Sequence, residues 1–266
     1  MNHSMAIRFF QRATALWLLG FMLSALPSAE RLWDFPVSPV WVPPGPISSV
    51  THALCGEVPE FFAMLAVALL MVFAAWQFFS RARWWAWAII WLAYVNLMNR
   101  AWMAGSGGQQ LMANALFWSI FLAMRSERAR FLGLWAIRLQ LLLAYLATGL
   151  HKLSGTHWLD GTAMGIVATD QAFGPSWLAS APGLSSIISW SVLLFQLSFP
   201  IAIWFRTLRL PWMLFGMAFH LGTAIWMDIP EMGLAFVVCF VIWLDDEQIK
   251  RMPVLRRFAA GASTRL

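Results

Sequence analysis

The 266 residues are 61% hydrophobic and 11% charged, with a mean hydropathy of +0.68 and a formal net charge of +6. A soluble domain of this size could not hide so much apolar surface, so the chain belongs in lipid, where runs of about 20 apolar residues cross the roughly 30 Å hydrocarbon layer. Its positive charges fall in short clusters between apolar runs, not along a basic stripe or aromatic platform, which argues against a nucleic-acid partner.

In chain order, the apolar runs predict helices at residues 7–26, 59–80, 84–103, 109–124, 131–152, 183–205, 210–227 and 231–244. Between them come the Arg81 and Arg83 cluster, a turn from Gly105 to Gly108, and the cluster of Arg125, Arg128 and Arg130. Arg206 with Arg209, and Asp228-Ile229-Pro230, mark two further turns. Many of the 18 Trp lie near the ends of these runs, as in the aromatic belts of membrane interfaces.

Orientation follows from Lys and Arg. One side holds Arg8, Arg12, Arg81, Arg83, Arg125, Arg128, Arg130, Arg206, Arg209, Lys250, Arg251, Arg256, Arg257 and Arg265. The other holds Arg31, Arg100 and Lys152, and Arg138 lies within a span. Both termini are therefore expected in the cytoplasm, as an even number of spans requires. The expectation is an all-α integral membrane protein of the inner (plasma) membrane, a bundle of about eight transmembrane helices embedded in the lipid bilayer.

Arg8 and Arg12, an apolar stretch and then Pro27-Ser28-Ala29 could also be read as a cleaved leader. Pro27 stands where a small residue is preferred, so retention of the first span is expected. Residues 27–58, with Pro36, Pro39, Pro43, Pro44 and Pro46, are expected to be extended. The segment after Leu153 contains Trp158-Leu159-Asp160-Gly161, and residues 162–168 are expected to form a short interfacial helix. Residues 1–246 make the membrane domain, and 247–266 a short basic cytoplasmic tail, surface-lying or loose. Cys55 in a loop and Cys239 in an apolar run are not placed to pair, and no metal-spaced Cys cluster exists.

Ionisable groups at membrane depth are costly and mark either function or structural pairing. In the fifth span Arg138, Leu142, Tyr145, Thr148, Gly149 and Lys152 share one stripe, which lipid would not tolerate. Lys152, beside His151 and followed by His157, has two readings. It is a general base whose partial burial disfavours the charged form, or a lysine snorkelling to the interface at a helix C-terminus. Residue chemistry alone favours the second. Arg138, about 21 Å deeper, reads as structural. His220 in the seventh span is a packing or a site residue. Asn96, Asn99 and Arg100 in the third span, and Gln109, Gln110 and Asn114 in the fourth, read as interhelical glue by type. All fall in the outer half with Lys152, which predicts one outward-opening pocket.

The chain has no P-loop, no His-Glu-x-x-His and no Gly-x-Ser-x-Gly. Asp160 and Asp170 suggest neither a metal site nor a carboxylate dyad. Spacing does not support paired haem ligands among His3, His52, His151, His157 and His220. Neither inverted repeats nor paired broken helices point to a carrier.

The run Gly149-Leu150-His151-Lys152-Leu153, then Trp158-Leu159-Asp160-Gly161-Thr162-Ala163-Met164, resembles the signature of the HTTM domain. Phe199-Pro200, Arg206, Phe219-His220, and Arg12 with Gly20 extend the likeness over most of the chain. That domain is the membrane part shared with vitamin K-dependent gamma-carboxylase and with bacterial SdpB-like relatives. The resemblance implies Lys152 as a catalytic base toward a reduced quinone of vitamin K type, with O2 and CO2 as co-reactants and His220 in support. Tyr145, Asn99, His157, Trp158, Asp160 and Gln109 are the expected pocket residues, on the extracytoplasmic side. Two departures from the carboxylase are expected: no large portion after the spans, and Gln109 or Gln110 in place of a histidine. The chain's length is closer to the SdpB group, which implies the alternative of a non-catalytic membrane partner in maturing or exporting a secreted peptide toxin.

Overall fold

The computed structural model describes residues 4–34, 60–80, 82–101, 104–170 and 172–260, and these form helices joined by short turns, with no strand among them. His3, His52, Cys55, Arg81, Met103, Arg265 and most of the Pro-rich segment lie outside the described residues. The long helices are α1 (Ser4–Ala25), α2 (Glu60–Phe79), α3 (Trp84–Arg100), α4 (Gly107–Leu122) and α5 (Glu127–Leu153). Three short helices follow, α6 (Thr156–Leu159), α7 (Ala163–Thr169) and α8 (Ser176–Ala179). Then come α9 (Pro182–Ala202), α10 (Arg206–Trp226) and α11 (Pro230–Phe240), which a 3-10 turn extends over Val241–Trp243. Two more short helices close the chain, α12 (Asp246–Arg251) and α13 (Pro253–Ala260).

Among the described residues, three helical stretches are long and apolar enough to cross a membrane, Ser4–Ser28, Glu127–Leu153 and Pro182–Ala202. Ala63–Phe79 and Pro230–Trp243 are shorter apolar helices. The protein is thus an all-helical membrane protein. Helices α3 and α4, at 17 and 16 residues, are shorter than the run of about 20 that spans by length alone. Helix α10 has the length but carries Arg206, Arg209 and His220.

Packing divides the chain into two compact units, residues Met1–Ile137 with Val241–Leu266, and Arg138–Phe240. In the first, α1 packs on α2, α2 on α3 and α3 on α4, in sequence order. Phe10, Leu18, Met22, Leu70, Trp87, Ile90, Tyr94 and Trp243 fill the interior. The described part of the tail, as far as residue 260, is anchored on α1. Asp246 lies at the start of α1, where one carboxylate oxygen accepts the Met5 and Ala6 amides at 2.9 and 3.1 Å and the other accepts the Ser4 hydroxyl at 3.2 Å. A carboxylate there meets the unsatisfied amides and the positive end of the helix dipole. Helix α13 then lies on α1, with Phe258 edge-on to Phe9 and its carbonyl accepting from Arg12 at 2.6 Å. The basic composition hid these anchors.

In the second unit, α10 pairs with α11, and α9 packs against α6, α7, α8 and α10. The turn between α10 and α11 puts Asp228 at φ 52°, a backbone region aspartate tolerates better than most side chains. Gly233 lets α11 come so close to α10 that a Cβ would fall on the His220 carbonyl oxygen. That close approach seats His220.

Candidate functional site

Helix α5 sorts its side chains as a membrane helix should. Leu139, Leu143, Leu146 and Leu150 are exposed, whereas Arg138, Leu141, Tyr145 and Gly149 are buried and Lys152 is half-buried. Of the stripe expected from spacing, Arg138, Tyr145 and Gly149 are buried, Leu142 and Lys152 are half-buried, and the exception is Thr148. That residue is exposed, and its hydroxyl donates to its own helix at Ala144 O, 2.7 Å. A threonine satisfied by the preceding turn needs no partner helix.

On this stripe Tyr145 Oη lies 2.6 Å from His220 Nε2. The side chains are 1% and 3% exposed, and the pair is enclosed by Phe195, Phe199, Phe236 and Phe240. Phe236 stacks on the imidazole at 4.3 Å, nearly parallel. The arrangement leaving fewest polar atoms unmet has the phenol donating to Nε2, with the ring hydrogen on Nδ1. Nδ1 finds no partner among the described residues. A buried donor without an acceptor is costly, and such atoms merit a functional question.

Two turns further along α5, about 10 Å at 1.5 Å per residue, Lys152 reaches the outer end of the stripe. Its Nζ lies 4.7 Å from the centre of the Trp158 ring. Trp158 is held by α6, whose last carbonyl, at Leu159, accepts the Trp190 indole N–H of α9 at 3.1 Å. Gly161 follows at φ +81°, with Ser186 and Trp190 so close behind it that a side chain would collide. The Asp-Gly-Thr part of the signature is therefore a tight turn pressed on α9. Helix α7 is pinned the same way, through the Met164 amide and Ser189 Oγ at 3.0 Å.

Within that turn the Thr162 hydroxyl donates to Asp160 at 2.6 Å and lies 3.0 Å from His157 Nδ1. Having donated to the carboxylate, the hydroxyl can only accept from His157, so Nδ1 carries a hydrogen, and in the neutral ring Nε2 is the nitrogen left with a lone pair. Asp160 also accepts the Thr162 amide at 2.9 Å. The Thr162 hydroxyl and amide, aided by the nearby His157, hold the Asp160 carboxyl below its ordinary range. Thr162 was not among the expected site residues. Its signal in the sequence is the Asp-Gly-Thr spacing, an aspartate that turns the chain by bonding two residues on.

Of the expected residues, the second unit brings together Tyr145 with His220, Lys152 with Trp158, and His157 with Asp160. Asn99 and Gln109 belong to the first unit. Asn99 is half-buried on α3, and Gln109 accepts the Ser106 amide at 2.8 Å, closing the first turn of α4. Among the described residues no group of His, Cys, Asp and Glu is placed to hold a metal ion.

A family model described as the HTTM domain matches residues 111–247, just over half of the chain. The match takes in every residue of the two polar clusters. No curated protein and no solved structure matches the chain significantly.

Proposed function

This chain belongs to the HTTM-domain family, and we propose that it is a membrane-embedded enzyme in which Lys152 removes a proton from a lipid-soluble quinol or a secreted peptide. In this reading it lies in the inner membrane with eight spans and both termini cytoplasmic, and its working face is extracytoplasmic. Residues 1–246 are the family's membrane domain and 247–266 a short basic tail. One observation carries the reading: Lys152 ends the same buried stripe of α5 that holds the Tyr145–His220 pair, while the opposite face carries leucines.

The residues suit a reduced quinone of vitamin K type in two respects. Trp158 offers a flat aromatic face beside the Lys152 amine, and His220 keeps a buried nitrogen without a partner among the described residues. When bound, such a quinone with O2 supplies a base strong enough for a carbon acid, and CO2 supplies the added carboxyl group. Lys152 accepts a proton at Nζ. Trp158 restricts the amine and keeps water from one side of it. The Asp160–Thr162–His157 chain leaves His157 Nε2 as an exposed acceptor that can pass a proton to water. Tyr145 and His220 position the stripe beneath. Asn99 and Gln109 stay assigned to binding.

The test is O2 uptake dependent on reduced quinone by the protein in lipid nanodiscs. Lys152→Ala and Lys152→Arg should each lose about 10²- to 10⁴-fold in rate, since a guanidinium cannot serve as base. A folded Lys152→Ala protein with the full rate removes the catalytic claim. The second reading is a non-catalytic SdpB-like partner in maturing or exporting a secreted peptide; the tight aromatic packing around Tyr145 favours it. It predicts no quinone-dependent turnover by the wild type, and loss of peptide export on altering the turn at Asp160.

A further inference from the structure

The first unit contains a cavity of about 620 Å³ between α1, the end of α2 and the α4–α5 turn. Its lining draws on the arginines of α1 and of the start of α5. Arg8, Arg12 and Arg130 line it, together with Gln11, Gln77 and Ser4, and no carboxylate is among its lining residues. Arg8 and Arg12 stand one turn apart on α1, where like charges repel unless an anion lies between them. Arg12 uses one nitrogen on the Phe258 carbonyl, a bond that fixes the guanidinium and leaves its other N–H groups.

The two glutamines are the sharper sign. Gln11 and Gln77 are 4% and 2% exposed, and the side-chain nitrogen of each has no acceptor among the described residues. The orientation of Gln77 is set, because its oxygen accepts the Arg83 amide at 3.0 Å. Its NH2 group is therefore a buried donor with no acceptor among the described residues. Asp246, the carboxylate bonded to Ser4, is already engaged by the first amides of α1. A chamber lined by three guanidiniums and two unmet amide donors calls for a ligand that brings only acceptors and negative charge.

We propose that this cavity binds a phosphate-bearing anion, its oxygens received by Arg8, Arg12 and Arg130 and by the side-chain amides of Gln11 and Gln77. The volume exceeds a bare phosphate and suits a phosphate with part of the group it esterifies. The phosphate has two possible sources, an anionic lipid headgroup or a soluble phosphate compound, and the experiment separates them.

The full-length protein is placed in nanodiscs of phosphatidylcholine alone or with phosphatidylglycerol, and its thermal unfolding is followed with and without inorganic phosphate. Bound lipid is counted by native mass spectrometry after release. Stabilisation and retained phosphatidylglycerol in the mixed discs assign a lipid, whereas stabilisation by inorganic phosphate in phosphatidylcholine discs assigns a soluble ligand. In either case Arg8→Gln and Arg130→Gln should each weaken binding about tenfold, the loss of one charge-assisted hydrogen bond. Arg8 is exposed, so its variant is expected to fold. Equal retention by wild type and both variants, or no response to either phosphate source, overturns the proposal.

Discussion

Tyr145→Phe isolates the hydroxyl at the centre of the second unit. The variant keeps the ring that touches Phe195, Phe199, Phe236 and Phe240, and removes only the oxygen 2.6 Å from His220 Nε2. A buried partner left unmet costs about 1–3 kcal/mol. Couplings measured between membrane helices average about 0.6 and reach about 1.7 kcal/mol, because the unfolded chain in lipid finds other partners. Here the imidazole is 3% exposed and its second nitrogen is already unmet, so Nε2 has no ready substitute among the described residues. The upper end applies, about 1.5 kcal/mol, or about tenfold in the unfolding constant. The assay is reversible unfolding in mixed micelles for Tyr145→Phe, His220→Leu and the double variant. The double variant should cost about 1 kcal/mol less than the two singles together. Additivity within about 0.3 kcal/mol would refute the pairing.

Three other outcomes follow from single contacts. Gly233→Ala places a Cβ on the His220 carbonyl and near Ala224, so it should destabilise the α10–α11 pair by about 1–3 kcal/mol in the same unfolding assay. Asp246→Ala removes three bonds from the start of α1 and should cost about 2 kcal/mol, with faster amide exchange at Met5 and Ala6. For Asp160 the folded carboxyl titrates below its unfolded value, because Thr162 favours the charged form. The turn's support is thus fully present above the unfolded value of about 3.9 and lost as pH falls through the lower folded value. Hydrogen exchange at the Thr162 amide should be slow at neutral pH and in Asp160→Ala, which removes the acceptor, should already be fast there; equal protection in both proteins would contradict this.

The long helices were legible because each needs a run of apolar residues, and the helix bounds differ from expectation by a few residues, the size of fraying at helix ends. The polar stripe of α5 was legible for the same reason: its period is a property of one helix. The meeting of Tyr145 and His220 was not, since it joins residues 75 apart on two different helices, α5 and α10. Nor was the role of the tail. Asp246 is one more charged residue in a basic stretch until α1 brings its bare amides to it. Thr162 shows an intermediate case. Its turn chemistry was written in Asp-Gly-Thr, but the third partner, His157, depends on how α6 ends. The division into two units has no sequence signature here, because α5 runs unbroken through the boundary.

The account rests on the polar stripe of α5 opening to the outside at Lys152. The direct measurement is labelling of a Lys152→Cys variant, with Cys55 and Cys239 replaced by serine and alanine, in intact cells by a membrane-impermeant thiol reagent. The account predicts modification from outside, slowed when a lipid-soluble quinone is added. Modification only after the cytoplasmic face is opened, or a rate that quinone leaves unchanged, would contradict it.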